Sequence, residues 1–233
     1  MKLSKDQIAQ LYTFTRQHFV EWYDLQTELV DHLANDIEQI WKDEPNLSFD
    51  QAKNKAFKKF GIFGFSDVIE KKQNALYKYY WKMVWGIFKD YLKLPKVILT
   101  MLITLVIFTI INTFNDKKIF IYIYLTLHFI LILGFLIHEQ IQINKKNKTT
   151  GKKWMFDNII TSMGGVGFLM YIQLQVLSRF TDINWSVQNQ VMVSTILALF
   201  SILSYILIIV IPKKLTEKMT SLYPQYKLLS KVE

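Results

Sequence analysis

The chain of 233 residues contains no cysteine and only 4 prolines and 8 glycines. The missing cysteine excludes disulfide scaffolds, thiolate zinc sites and cysteine nucleophiles, and the scarcity of proline and glycine excludes fibrous and low-complexity architectures. Enzymatic signatures are missing too. No Gly-x-x-x-x-Gly-Lys phosphate loop, Gly-x-Gly-x-x-Gly turn, His-Glu-x-x-His helix or Gly-x-Ser-x-Gly elbow occurs. No catalytic residues, cofactor or metal are therefore expected. The first ten residues are polar, which predicts no cleavable signal peptide. What the chain does have is apolar surface: 51% of its residues are hydrophobic, too many for a disordered chain.

The apolar residues concentrate between Pro95 and Ile211. Four stretches there, about 97–114, 119–141, 154–177 and 191–211, approach the ~20 helical residues that cross a bilayer. The expected architecture is all-α: a cytoplasmic module of about four helices (1–75), an interfacial helix (76–94), a four-span bundle (95–211) and a cytoplasmic tail (212–233). Lysines set the orientation, because cytoplasmic loops retain them. Lys145, Lys146, Lys148, Lys152 and Lys153 crowd one connection, and Lys213, Lys214, Lys218, Lys227 and Lys231 follow the last span. The alternate connections are nearly neutral, with Arg179 against Asp182 in one of them. Both termini are expected in the cytoplasm. Residues 95–233 hold 14 basic against 6 acidic side chains, so topology explains most of the +9 net charge and direct nucleic-acid binding is not expected.

In the soluble part, Ser4 with Gln7 and Ser48 with Gln51 are capping-box starts of helices at about 5–18 and from 48 onward. Leu25, Leu29, Leu33, Ile37 and Ile40 share one face of a helix within 22–41, with acidic residues opposite. Gly61 stands where a left-handed cap is expected. A fourth helix spans about 67–94. On it Lys78, Lys82, Lys89 and Lys93 share a narrow arc flanked by Trp81 and Trp85. Lysines on one side and aromatics around the rest describe a helix at the headgroups of an anionic leaflet. The alternative is a helix packed in the module with a solvated lysine face.

The stretch ELVDHLANDIE at 28–38, with LSFDQA at 47–52 and FKKFG at 57–61, resembles the HAAS domain, a small cytoplasmic helical module at the N-terminus of bacterial multi-span proteins. The likeness covers about residues 4–75. It implies a signalling or regulatory module in the bacterial inner membrane, in a family whose genes often neighbour PadR-type transcription regulators, and it implies no catalytic residues. The partners expected are the anionic bilayer and a cytosolic protein, with a homo-oligomer as an open option.

The candidate partner surface is Asp24, Glu28, Asp31, His32 and Glu38; its plain alternative is a solvated face. Glu28, His32 and Asp36 are one turn apart and share a face, an arrangement that suits either metal ligands or a histidine paired with carboxylates. Within the membrane, His128 falls near the middle of span two, and His138 and Glu139 are expected to meet Asp157 at one depth. These residues suit a proton or ion site of a small transporter or channel, or, at His138 and Asp157, a lipid-modifying enzyme; interhelical staples are the simpler reading. Gly164 and Gly165 in span three and Ser194, Ala198 and Ser201 in span four are read as close-packing positions, and Gln173 as an interhelical hydrogen-bonding residue.

Overall fold

The computed structural model describes residues 2–161, 166–180, 183–223 and 226, with the side chains of 176–180 excepted. Gly164, Gly165, Asp182, Lys227 and Lys231, and the Arg179 side chain, lie outside this set. The fold is all-α. The elements are α1 (Lys5–Gln17), α2 (Tyr23–Asp43), α3 (Phe49–Lys58), α4 (Ser66–Asp90), α5 (Lys96–Thr113), α6 (Lys117–Thr150), α7 (Met155–Thr161), α8 (Gly167–Phe180), α9 (Val187–Tyr205), a π turn (Ile206–Val210) and α10 (Ile211–Leu222). The chain divides into two compact units: Met1–Leu76 with Asn147–Asp157, and Tyr77–Lys146 with Asn158–Glu233.

In the first unit both capping boxes form. Ser4 Oγ accepts from Gln7 N–H (3.2 Å) while Gln7 Oε1 accepts from Ser4 N–H (2.8 Å), and Ser48 and Gln51 repeat the exchange at 3.3 and 3.0 Å. The α2 stripe Leu25, Leu29, Leu33, Ile37 and Ile40 is buried against Leu11, Ala52, Ala56 and Phe65. Gly61 adopts φ 80 and donates to Lys58 O, closing α3 as expected.

α2 has no side-chain cap at its N-terminus. Its first N–H, at Tyr23, donates instead to Lys153 O (2.7 Å), and Trp22 pairs with Lys153 as an isolated parallel bridge. Lys153 forms an ion pair with Glu21 (2.7 Å), and Met155 is part of the module's core. The segment expected to join spans two and three is therefore a strap of the first unit. α6 runs through Gly134 to Thr150 because no proline interrupts it, and Gly151, whose φ is 63, ends it. Lys145, Lys146 and Lys148 consequently lie on a helix rather than in a loop.

In the second unit α5 packs on α9. Ile107, Ile111, Phe120, Ile121, Leu125, Val193, Leu197 and Ala198 form the core, and Ser194 and Ala198 are fully buried, as close-packing positions should be. Among the described residues three helical stretches are long and apolar enough to cross a membrane: Lys96–Thr113, Lys117–Thr150 and Val187–Leu222. Only 17% and 22% of the apolar windows of the first two are buried. A helix apolar on every face and so little covered is stable in hydrocarbon, not in water, so the chain is a membrane protein.

The remaining expected span, 154–177, includes residues 162–165, which lie outside the described set; on either side of them are α7 and α8, and Trp154 and Met155 at its start are buried in the first unit. The end of the last span also differs. Pro212 was expected to start the tail, yet helix continues to Leu222. Proline has no N–H for the carbonyl one turn back, and the widened turn, in which Ile211 N–H donates to Ile206 O, accommodates it.

On α4 the expected lysine face is exposed at Lys78, Lys82 and Lys89, and Tyr80 and Val84 are its buried ridge. α4 ends at Asp90, so Lys93 lies in the turn that follows. Trp81 meets Phe168 edge-on at 5.6 Å, and Trp85 is 55% exposed, stacked on Phe88 beneath Lys89.

Candidate functional site

The acidic stripe of α2 separates into distinct environments. Asp24 is not on the surface: it is 3% exposed, and its Oδ1 accepts the Met155 N–H at 3.2 Å. Burial raises its pKa above the ordinary aspartate range, against the opposing pull of backbone N–H donors. This corrects its assignment as a partner-facing residue. The sequence pattern placed Asp24 opposite the apolar stripe, but the strap covers that position.

Asp31 and His32 are exposed, and Glu38 accepts from Leu3 N–H at 3.2 Å. Glu28 forms an ion pair with Lys72 on α4, and Asp36 pairs with Lys59 at 2.6 Å. Between them opens a cleft of about 320 Å³ lined by Glu28, Leu29, His32, Asp36, Lys59, Phe60 and Val68. Its floor is apolar and its rim charged. α2 supplies the stripe at one-turn spacing, while the end of α3 and the start of α4 supply the opposite wall.

Each of the two carboxylates is engaged by a lysine, and no group of three or more His, Asp or Glu able to hold a metal occurs among the described residues. Lys59, Phe60 and Val68 were not singled out by sequence reasoning. Lys59 meets Asp36 from 23 positions away, and the Lys72–Glu28 pair beside it spans 44, ion pairs that only folding brings together.

A second polar array lies between α6 and α9. Tyr124 Oη meets Ser201 Oγ (2.5 Å) and Leu197 O (3.0 Å), and His128 Nε2 lies 2.8 Å from Ser204 Oγ. Because the Ser204 hydroxyl donates to Phe200 O (2.9 Å), the imidazole Nε2–H is the donor of the His128 bond. His128 also stacks on Tyr124 at 5.4 Å. The array borders the π turn beginning at Ile206. Gln173 on α8 donates to Leu125 O (3.3 Å), the interhelical bond expected of it.

Of the expected cluster of His138, Glu139 and Asp157, Asp157 is buried and belongs to the first unit, and exposed His138 and half-buried Glu139 are consecutive residues of α6 in the second. Comparison with models of known protein families, with curated proteins and with solved structures finds no match to this chain.

Proposed function

We propose that this chain is a multi-pass regulatory protein of a bacterial inner membrane, whose cytoplasmic helical unit docks a cytosolic protein on the cleft beside α2. The HAAS resemblance supports this reading and makes a PadR-type transcription regulator the expected partner class. The lysine distribution supports a four-span topology with both termini in the cytoplasm. The lysine and aromatic residues of α4 suit contact with an anionic leaflet.

The cleft is the observation that carries the proposal. An apolar floor of Leu29, Phe60 and Val68 rimmed by Glu28, Asp36 and Lys59 suits a partner segment that inserts one apolar side chain and aligns cations beside it. The test is co-purification of the full-length tagged protein in mild detergent from its native cells. A cytosolic protein held in near-stoichiometric amount is expected to be lost in Glu28→Lys with Asp31→Lys and retained in Asp116→Lys. Equal recovery from both variants overturns the cleft assignment.

The π turn beside the Tyr124–Ser201 and His128–Ser204 pairs favours a second reading, a small transporter or channel component, since such turns recur at functional sites. The two readings separate on His128→Ala. Transport requires flux to disappear with membrane insertion intact; the regulatory reading requires unchanged flux and a stability loss of about 1 kcal/mol from the lost hydrogen bond.

A further inference from the structure

Three large apolar side chains of the first unit stand in solvent: Ile62 is 99% exposed, Phe19 84% and Phe63 70%. Left-handed backbone accompanies each of them. Phe19 follows α1 at φ 64, a conformation that non-glycine residues rarely adopt. Ile62 and Phe63 stand between Gly61 (φ 80) and Gly64 (φ 55). At Gly64 a side chain has no room, since a Cβ there would lie 2.9 Å from Phe57 Cζ.

Both turns are pinned to the same aromatic cluster. The ring of His18, immediately before Phe19, lies 4.2 Å from Phe14, 4.5 Å from Phe57 and 5.9 Å from Phe65, centroid to centroid. Phe57 and Phe65, which bracket the Gly61–Gly64 turn, are 4.9 Å apart. Phe19, Ile62 and Phe63 therefore emerge from one cluster at one end of the unit. Backbone strain and exposed apolar surface at a single place mark an interaction surface.

The chemistry of that end selects the occupant. Its three protruding side chains contain no hydrogen-bonding group, and glycine flanks Ile62 and Phe63, so nothing there aligns a protein partner by directional contacts. Basic residues adjoin it: exposed Lys58 ends α3 and Lys59, paired with Asp36, follows it, while Lys53 and Lys55 farther along α3 pair with Asp50 and Glu44. We infer that this tip enters the headgroup layer of an anionic bilayer, with Ile62 and Phe63 as its apolar anchors and Phe19 beside them. Protruding apolar side chains flanked by lysines meet the requirements of interfacial insertion. The chain's own membrane helices keep a bilayer within tether reach, and tethering lets a weak affinity act at high effective concentration.

The lack of native cysteine makes the test direct. Ile62→Cys and Asn46→Cys, the latter before the opposite end of α3, each place one environment-sensitive NBD label on the full-length protein. The labelled proteins are reconstituted in phosphatidylcholine vesicles with or without phosphatidylglycerol. The label at 62 is expected to shift to the blue and to be quenched by headgroup-attached nitroxide lipid at least about threefold more than the label at 46, most strongly with phosphatidylglycerol. Adding Phe19→Ser and Phe63→Ser should return quenching at 62 toward the value at 46. Equal quenching at both positions overturns the proposal, as does quenching at 62 that the two serines leave unchanged. A blue shift at 62 that already occurs in detergent and grows with protein concentration also overturns it, assigning the tip to a protein partner.

Discussion

Leu33→Ala is expected to destabilise the first unit by about 2–5 kcal/mol, the range for a fully buried leucine whose cavity cannot collapse. Leu33 is 0% exposed and lies one turn from both Leu29 and Ile37, themselves 1% and 0% exposed. The loss is large against the stability of a unit this size, on the order of 5–10 kcal/mol. Hydrogen–deuterium exchange on the full-length protein in detergent checks it. Peptides of α1, α2 and α3 should exchange faster by a factor of roughly 30 or more, while those of α5 and α9, which belong to the other unit, hold their rates. Asp31→Ala, on the exposed side of the same helix, should stay within about 0.5 kcal/mol of the parent. A Leu33→Ala protein exchanging like the parent would show that α2 is not the centre of this core.

Asp24 gives the second large effect, and its sign depends on the replacement. Asp24→Ala leaves the Met155 N–H without its acceptor and is expected to cost about 1–3 kcal/mol, read as faster exchange in 21–26 and 152–156. Asp24→Asn keeps an oxygen for Met155 and removes the buried charge, so it should match or exceed the parent at neutral pH. The pH dependence follows from burial, which raises the folded-state pKa above the unfolded value of about 3.9. A group raised in this way gives its full stabilisation below the unfolded pKa and loses it as pH rises through the folded pKa. The advantage of asparagine over aspartate should therefore grow from about pH 4 upward and level off once Asp24 is ionised in the folded state. An advantage that shrinks with rising pH would mean that the backbone donors outweigh burial.

Features that depend on neighbours along the chain were legible. Ser4–Gln7 and Ser48–Gln51 sit three residues apart, and such contacts form whatever the rest of the molecule does. The five-residue stripe of α2 and the Gly61 cap follow from helical period and from glycine's freedom at positive φ, and both are present. The starts of the apolar helices α5 and α6 lie within two residues of those expected. Gly151 carried a legible stop signal too, but the lysine-rich run before it reads equally as a loop.

What the sequence by itself determined is an all-α membrane protein with a helical module ahead of long apolar spans, because propensity, period and hydrophobic length are sums over local residues. Tertiary structure decided the rest. Trp154 and Met155 are apolar enough for lipid, yet they are buried in the module, and hydropathy cannot tell one apolar environment from the other. Asp24 is periodic with the solvent-facing acids, but it became an interior acceptor because a strap more than a hundred residues away covers it. The same strap satisfies the N-terminus of α2, which has no capping side chain. The Glu28–Asp36 cleft and the Phe19 and Ile62 tip arise in the same way. Each depends on which distant groups share a hydrogen bond or an aromatic cluster, and that is settled by folding in three dimensions.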